Sequence, residues 1–484
     1  MMSDGIRGLQ LAMDRGDATA QRLVEQSIER IEAVDRGGPM LNSVLEMNLD
    51  AMQLAEAMDR ERAERGPRGP LHGIPVMIKA NIDTADRMTT TAGSLALAGS
   101  IARRDAFLVE RLREAGAILL AKTNLSEWAN FRGRRSVSGW SSLGGQTRNP
   151  HDPTRSPCGS SSGSAVAVAA DLCCAAIGTE TDGSIICPAQ TCGVVGIKPT
   201  VGLVSRSGII PIAHSQDTAG PMARSVGDAA ILLSVLIGAD PRDPATEHGQ
   251  TVPPLDALPS LDDLAGVRIG VARNYLGKHR EVDRIFERCV ALLSDLGAML
   301  VDPANVETAG TWHDGEMEVL LYEFKHDLNA YLSELGPEAP VKSLAEIIAF
   351  NEEHADEVMP HFGQELLEMA EAKGPLAESA YVEALDANRR ATREEGIDAT
   401  LAKHDLDAII APSGGPAWVI DTVLGDHGFP SCTSAAAVAG YPHVTVPAGQ
   451  IDGLPIGLSF FGTAFQDAKL IQYASLFERA RRRG

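Results

Sequence analysis

The sequence predicts an α/β fold in which a β-sheet core is covered by helices, and three observations lead to this prediction. From Leu71 onwards, short apolar runs typical of buried strands alternate with helical patterns. Before residue 66, apolar residues recur three and four positions apart, which is the helical period. Residues 305–405 are acidic and again helical in pattern. We therefore expect a helical segment over residues 1–65 and one large domain over 66–484, with a helix-rich insertion at about 305–405.

The individual elements follow from the period of the apolar residues. In the N-terminal segment, Leu23–Val34 and Met47–Arg65 are predicted helices, and a Gly- and Pro-rich stretch at 66–70 ends the segment. The predicted strands are Gly73–Lys79, Ala117–Asn124, Val267–Asn274, Leu406–Pro412, Tyr441–Pro447 and Leu454–Gly462. The later predicted helices are Phe107–Ala115, Val282–Leu296 and, in the insertion, Glu316–Leu335 and Ser343–Ala372.

Charge and hydropathy exclude several classes of partner. The net charge is −22 and no basic stripe interrupts it, so nucleic acid and anionic membranes are poor partners. No apolar run approaches about 18 residues, the length of a membrane span. The first ten residues contain an acidic side chain and no apolar core of a signal peptide. We expect a cytoplasmic protein that is a monomer or a homodimer.

The cysteines suggest the same compartment. There are seven, an odd number, and their spacing contains neither a CxxC pair nor a zinc-binding pattern. Free thiols in a reducing compartment are the simplest interpretation. We therefore expect no metal site and no cofactor.

The segment most indicative of chemistry is Ser156–Ser184, where two serine-bearing turns lie at the ends of an Ala-rich helix. Upstream, one lysine, Lys79, interrupts the apolar run Gly73–Ile82. Two serines on rigid turns and a lysine in apolar surroundings indicate an activated nucleophile and its base. A Ser/Gly cluster is often a flexible linker, but a linker would not run straight into a tight apolar helix. A lone lysine at such a position is more often one at a strand end whose amine reaches solvent than a catalytic one.

A nucleophile elbow is an alternative interpretation, because Gly159–Gly163 matches G-x-S-x-G. That motif requires a strand immediately before it. The preceding residues 149–158 contain three prolines and no strand pattern, which argues against an elbow.

The motifs resemble those of the amidase signature hydrolases. Residues 158–164 read CGSSSGS, residues 178–189 read GTETDGSIICPA, and residues 193–200 read GVVGIKPT, in the order that the family has them. The resemblance covers nearly the whole chain. Within the family, segments such as 122–133 and 138–150 are similar to the bacterial peptide amidases. Asp182 and Ile186 stand where the wider family usually has Gly and Arg, and both are similar to the peptide amidase form.

The resemblance implies a large mixed sheet sandwiched by helices, and a Ser-Ser-Lys triad. In that triad Ser184 is the nucleophile, Ser160 is a bridging serine on a cis peptide bond, and Lys79 is the base. Physical reasoning is consistent with this role for Lys79, because burial disfavours the charged form of an amine and a neutral amine can accept a proton.

The second serine-bearing turn is predicted to form the oxyanion hole. Its residues Thr181, Asp182 and Gly183 can direct consecutive backbone N–H groups at one point. Gly183 permits the backbone conformation that this requires.

The resemblance implies hydrolysis of a small amide or of the C-terminal amide of a peptide. The alternatives are an aryl or fatty acylamidase of the same family, the glutaminase subunit of a tRNA-dependent amidotransferase, and a catalytically silent scaffold. A Ser-His-Asp triad is a further alternative, but His72 offers only closeness in sequence to Lys79, and His151 and His214 lie in predicted loops. The following aromatic and polar residues are weaker candidates for the substrate-binding wall, with packing in the core as the alternative: Trp128, Asn130, Phe131, Tyr322 and Trp418.

Overall fold

The computed structural model describes residues 4–251 and 253–482, and its centre is a twisted mixed sheet. Among these residues the strands are β1 Val44–Met47, β2 Pro75–Lys79, β3 Ile118–Thr123, β4 Trp140–Ser141, β5 Gly145–Gln146, β6 Ala175–Glu180, β7 Val195–Lys198, β8 Thr218–Ala223, β9 Arg268–Val271, β10 Met299–Val301, β11 Ala408–Pro412, β12 His443–Ile451 and β13 Leu454–Phe461. Eleven strands form the sheet in the order β1-β3-β2-β6-β8-β7-β12-β13-β11-β9-β10, and β4 pairs with β5 in a separate hairpin. The predicted α/β class with a mixed sheet is confirmed.

The direction of pairing changes across the sheet. Strands β3, β2 and β6 run parallel to one another near one end, and β11, β9 and β10 are parallel at the other. Between them, β6, β8, β7, β12, β13 and β11 pair in antiparallel fashion. The C-terminal ends of the parallel strands β2 and β6 therefore open at the same edge, which is where ligands commonly bind in α/β sheets.

Helices cover both faces of the sheet. They are α1 Gly5–Asp14, α2 Ala20–Arg30, α3 Ala51–Arg65, α4 Phe107–Glu114, α5 Ser162–Ala169, α6 Ile186–Cys192, α7 Val226–Leu236, α8 Arg280–Asp295, α9 His313–Glu334, α10 Leu344–Glu353, α11 Ala355–Val358, α12 Glu365–Glu371, α13 Ser379–Thr392, α14 Asp398–His404, α15 Thr433–Ala439 and α16 Asp467–Arg481. None of the helices in the described residues is both long enough and apolar enough to cross a membrane.

Strand β2 shows how the two faces are separated. Val76 and Ile78 belong to an apolar cluster that includes residues of α1, α4, α7, α8 and α16. Met77, between them, belongs to a second cluster with residues of α2, α3, α5 and α6. Alternate side chains of a strand point to opposite faces, so this strand is buried on both sides. Lys79, its last residue, is thus held in a fully buried position.

The N-terminal segment differs from the prediction at one place. Val44–Met47, which shares only Met47 with the predicted helix Met47–Arg65, forms the edge strand β1 and pairs antiparallel with β3. Helix α3 begins only at Ala51. The partner strand supplies backbone hydrogen bonds that the local sequence cannot reveal. The domain boundary at residue 65 stays a prediction.

The insertion contributes a helical layer beside one edge of the site. Helices α9 to α14 lie within residues 305–405. Their apolar residues form a cluster with Trp128 and Phe131, in which the rings of Phe131 and Phe324 are 5.0 Å apart. This contact joins helix α9 to the turn that follows β3.

Candidate active site

The amine of Lys79 lies at the centre of the site. Its Nζ donates to Ser160 Oγ at 2.7 Å and to Thr179 Oγ1 at 2.8 Å, and it contacts the Thr179 carbonyl oxygen at 3.2 Å. Lys79, Ser160 and Thr179 come from β2, the Ser/Gly loop and β6, respectively. Thr179 Oγ1 also accepts a hydrogen bond from Asn81 at 3.0 Å, which fixes its position.

The protonation of Lys79 is set mainly by burial. The side chain has no exposed surface, and burial lowers the pKa of its ammonium group to about 7, although the negative charges of Asp217 and Glu180 act in the opposite direction. Near neutral pH the amine is therefore partly uncharged. An uncharged amine can accept the Ser160 hydroxyl proton instead of donating to it.

The Ser/Gly loop is held rigidly against strand β6. The peptide bond between Gly159 and Ser160 is cis. Ser161 Oγ donates to the Thr179 carbonyl oxygen at 3.0 Å and accepts from the Thr179 amide at 3.1 Å. Ser162 Oγ donates to the Cys158 carbonyl oxygen at 2.6 Å, at the point where helix α5 begins. The Ser/Gly stretch is therefore an ordered loop and not a linker.

A disulfide bond joins the two serine-bearing turns. Cys158 and Cys187 are bonded, with their Cα atoms 6.0 Å apart. Cys158 precedes Ser160 by two residues and Cys187 follows Ser184 by three. The expectation that all cysteines are free thiols is thus wrong for these two, while Cys173, Cys174, Cys192, Cys289 and Cys432 form no disulfide bond. The 29-residue separation of the bonded pair matches no short motif, so spacing alone gave no signal.

The turn that carries Ser184 is anchored at both ends. The buried Glu180 carboxylate accepts from the amides of Ile185 and Ile186 at 2.7 and 2.9 Å. The Ser161 amide donates to the Ser184 carbonyl oxygen at 3.2 Å, which brings Ser184 against the Ser160 loop. Ser184 is 8% exposed. The two predicted serines and Lys79 therefore share one buried region.

The backbone N–H groups of Thr181, Asp182, Gly183 and Ser184 donate to no acceptor among the residues that the structure describes. Gly183 has φ +78°, and a Cβ atom there would lie 3.1 Å from Thr433 Oγ1, so both backbone conformation and space favour glycine. Consecutive unpaired N–H groups can stabilise a negatively charged oxygen. The assignment of Thr181, Asp182 and Gly183 to an oxyanion hole stays a prediction.

A cavity of about 910 Å³ opens beside these groups. Asn81, Thr179 and Thr181 line it on the side of Lys79. Its remaining wall contains apolar residues and charged ones, among them Ile210, Ile212, Leu376, Arg206, His214 and Asp327. The cavity can hold a ligand of several residues, and its lining includes Thr179 and Thr181 but not Lys79, Ser160 or Ser184.

The five predicted substrate-binding residues lie outside the lining of this cavity, although Ala129, between Trp128 and Asn130, is part of it. Trp128 and Phe131 are buried in the cluster with helix α9. Asn130 is partly exposed, and Tyr322 donates to Glu378 at 2.6 Å. Trp418 donates to Asp426 at 3.0 Å. Their role in binding stays a prediction.

The three histidines considered as alternative bases have other partners. His72 and His151 contact the carbonyl oxygens of Met58 and Cys192, both at 2.9 Å. His214 pairs with Asp327 at 2.8 Å. Within residues 4–251 and 253–482, His214, Glu323 and Asp327 are the one group whose atoms could together hold a metal ion, lying within 4.8 Å of one another.

Sequence reasoning missed the residues that support the triad. Thr179, Ser161 and Glu180 position Lys79, Ser160 and the second turn by hydrogen bonds. Thr179 and Glu180 lie in the GTETDGS motif, so their proximity to Ser184 was a usable signal. Asp217 follows the motif by more than 30 residues, and only the antiparallel pairing of β6 with β8 brings it to Thr181, which donates to it at 2.5 Å.

Comparison with known proteins identifies similar chains. The family model described as Amidase matches residues 22–471. The solved structure of native peptide amidase from Stenotrophomonas maltophilia is 52% identical, covers 99% of this chain and 97% of that chain, and superposes with a TM-score of 0.94. A peptide amidase bound to the competitive inhibitor chymostatin superposes with a TM-score of 0.95 at the same identity and coverage.

Two further relatives have different descriptions, one as an amidase and one as an amidotransferase subunit. A protein of Arabidopsis thaliana described as a probable amidase is 40% identical over 486 residues, which is 98% of this chain and 89% of the relative. A glutamyl-tRNA(Gln) amidotransferase subunit of Chloroflexus aurantiacus is 35% identical over 500 residues, with coverages of 98% and 96%.

Proposed function

This chain belongs to the amidase signature family, and we propose that it hydrolyses the C-terminal carboxamide of peptides to a carboxylic acid and ammonia. In this proposal Ser184 is the nucleophile, Ser160 relays its proton, and Lys79 is the base. The observation that carries the proposal is the buried contact between the Lys79 amine and the Ser160 hydroxyl, 2.7 Å long, beside the turn of Ser184.

The first half of the reaction transfers a proton inwards. Ser184 Oγ forms a bond to the carboxamide carbon while its proton passes to Ser160 Oγ, and the proton of Ser160 passes to Lys79 Nζ. An amide is a poor electrophile, so this activation of the hydroxyl is required. The oxygen of the tetrahedral intermediate gains the negative charge, and the N–H groups of Thr181, Asp182 and Gly183 would stabilise it.

The second half returns the proton. Protonated Lys79 gives its proton through Ser160 to the substrate nitrogen, the C–N bond breaks, and ammonia leaves. A water molecule then attacks the ester on Ser184 by the same relay and releases the acid. A base with a pKa near 7 suits both directions, because it gives and takes a proton at neutral pH.

The substrate class rests on the cavity and on similarity. A volume of about 910 Å³, with apolar and charged walls, suits a peptide more than a small aliphatic amide. At 52% identity over nearly the whole chain, the peptide amidase structures support the same substrate class for this protein.

The competing function is that of the glutaminase subunit of an amidotransferase, a class to which this chain is also similar. A peptide amidase would be active as a single chain, whereas an amidotransferase subunit would need its partner subunits. We therefore propose to incubate the purified protein alone with an N-blocked dipeptide amide and to measure the ammonia released. The assay also measures the blocked dipeptide acid, which forms when the terminal amide is hydrolysed, and the blocked amino acid, which forms when the internal peptide bond is cleaved. Release of ammonia with the internal peptide bond intact is expected. A protein that ignores every peptide amide but hydrolyses glutamine when partner subunits are added would contradict the proposal.

An acylamidase acting on aryl or fatty amides is tested in the same assay. In addition to the dipeptide amide, an anilide and a long-chain fatty amide are assayed as substrates at the same concentration. The expected order of kcat/KM has the dipeptide amide first. A fatty amide that exceeds it by tenfold or more would assign a different substrate class.

A further inference from the structure

Residues Ile212–Asp217 form a closed turn in the wall of the cavity, which we call the wall turn. The amides of Gln216 and Asp217 both donate to the Ala213 carbonyl oxygen, at 3.1 and 2.9 Å. Ile212, His214 and Asp217 line the cavity. The proposed mechanism gives the wall turn no role, although it lies beside the turn that carries Ser184.

The carboxylate of Asp217 binds the wall turn to the oxyanion turn, by which we mean residues Thr181–Ser184. Its Oδ1 accepts a hydrogen bond from the Thr181 hydroxyl at 2.5 Å. Its Oδ2 accepts from the amides of Ile212 and Ala213, at 2.8 and 2.9 Å. One carboxylate has enough acceptor sites for all three donors. A planar group therefore fixes the distance between Thr181 and the backbone of a residue that faces the ligand.

Gln216 makes a second connection between the same two turns. Its Nε2 donates to the Thr181 carbonyl oxygen at 3.2 Å, and the side chain is buried. Thr181 is thus held by its hydroxyl and by its carbonyl oxygen, through two consecutive residues of the wall turn. Its backbone N–H donates to no acceptor among the described residues. The wall turn therefore sets the direction of a free N–H group.

The other side of the wall turn is bound to helix α9 of the insertion. The amide of His214 donates to Asp327 Oδ2 at 3.0 Å, and the amide of Ser215 donates to Glu323 Oε2 at 2.9 Å. These contacts restrict movement of the wall turn away from the oxyanion turn. A ligand that packs against Ile212 thus presses on a segment that is held from both sides.

We propose that Asp217 is a positioning residue that couples occupancy of the apolar cavity wall to the oxyanion turn, so that peptide amides with apolar side chains are hydrolysed with a higher kcat. The inference rests on the proposed function, because the N–H of Thr181 is one of the proposed donors to the oxyanion. Asp217 acts through Thr181 and not on the reacting atoms. Contacts remote from the reacting bond raise kcat when they hold catalytic groups in the geometry of the transition state.

The test compares two substrates with the same backbone, an N-blocked dileucine amide and an N-blocked diglycine amide. Only the first has side chains that reach the apolar wall. Burial raises the pKa of Asp217 to about 6, so the assay is run at about pH 8, where the carboxylate is ionised. In wild type, kcat for the dileucine amide is expected to be at least about tenfold higher than for the diglycine amide. Equal kcat for the two substrates would overturn the proposal.

Variants of Thr181 test the bond to Asp217. Thr181→Val removes the hydroxyl and keeps the shape, so the ratio of the two kcat values should fall below about threefold, while KM for the dileucine amide changes by less than about threefold. Thr181→Ser keeps the hydroxyl and should retain the wild-type ratio, whatever its absolute kcat. An unchanged ratio in Thr181→Val would overturn the proposal.

Thr89→Val is the matched control. The Thr89 hydroxyl also donates to a carboxylate at 2.5 Å, that of Glu46, but Thr89 is not part of the cavity lining. This variant should keep the wild-type ratio of kcat values. A ratio that falls equally in Thr89→Val and Thr181→Val would show that loss of any such bond has the same effect, and would overturn the proposal.

A double variant tests whether Asp217 acts through Thr181. Asp217→Ala should lower the ratio of kcat values to that of Thr181→Val, and combining the two changes should lower it no further, because both remove one connection. Losses that multiply in the double variant would overturn this role for Asp217. Where Asp217→Ala does not fold, the comparison of Thr181→Val with Thr181→Ser decides.

A covalent probe separates this inference from the proposed substrate class. A fluorophosphonate forms an O–P bond with the nucleophilic serine, fluoride leaves, the hydroxyl proton passes to the base, and the phosphoryl oxygen needs the same N–H donors. A probe with a dileucine chain should label wild type at least about tenfold faster than one with a diglycine chain, and Thr181→Val should reduce this preference below about threefold. This result without any hydrolysis of peptide amides would support the coupling and contradict the proposed substrate. Hydrolysis of peptide amides with kcat and labelling ratios that do not depend on the Thr181 hydroxyl would support the proposed function and overturn the coupling.

Discussion

Lys79 and Ser160, 81 residues apart in the chain, are joined by a hydrogen bond of 2.7 Å in a region with no exposed side-chain surface. The lysine ends a strand that is buried on both faces, and the serine lies on a loop fixed by hydrogen bonds to the neighbouring strand. Because neither group can move into solvent, the amine has a lowered pKa and a permanent partner.

The pH dependence of the reaction should report Lys79. Burial lowers its pKa to about 7, and only the neutral amine accepts a proton, so kcat/KM should rise with pH and level off above about pH 7. Initial rates of ammonia release from pH 5 to 9 measure this rise in kcat/KM. A rate that falls steadily over the whole range, in a protein that stays folded, would contradict the role of Lys79.

The hydrogen bond between Thr179 and Lys79 should contribute to kcat, because Lys79 is the proposed base. Its hydroxyl accepts from Lys79 at 2.8 Å, and a hydrogen bond is worth about 0.5–1.5 kcal/mol, so Thr179→Val should lower kcat by about 2- to 12-fold. Thr90→Val is the matched control, because Thr90 accepts at 3.1 Å from another buried strand lysine, Lys122, which has no part in the reaction. Equal losses in both variants would show a general packing effect.

The disulfide between Cys158 and Cys187 should stabilise the arrangement of the two turns. Replacing both residues with serine removes a cross-link over 29 residues and should lower the free energy of unfolding by about 2–4 kcal/mol. Denaturant titration with and without a reductant measures this. Reductant should lower the stability of wild type and leave the double variant unchanged; wild type that is insensitive under conditions that reduce the bond would contradict the prediction.

Chelation should not affect turnover. In the proposed mechanism the nucleophile, its base and the oxyanion donors are all groups of the protein. Prolonged incubation with EDTA should therefore leave the rate of ammonia release within experimental error of the untreated enzyme. Activity that is lost on chelation and restored by zinc would require a metal in the mechanism, and His214, with its two carboxylate neighbours, would then be the first place to look.

The sequence was most informative where local pattern and motif coincide. Strand β2 and the turn of Ser184 could be predicted, because an apolar run ends in one lysine and a Ser/Gly turn follows an Ala-rich helix. Contacts between distant segments could not be predicted. The antiparallel partner of β1 and the bond between Cys158 and Cys187 both depend on how the chain folds back over many residues. No local period or spacing encodes such contacts.

The central claim is tested most directly by the rate of ammonia release from an N-blocked dipeptide amide in Ser184→Ala, compared with wild type. Ser184 supplies the only bond to the substrate carbon in this account, so the variant should release no ammonia above the uncatalysed rate while keeping the thermal midpoint of wild type. A folded Ser184→Ala protein that retains substantial turnover would contradict the assignment of the nucleophile and, with it, the mechanism.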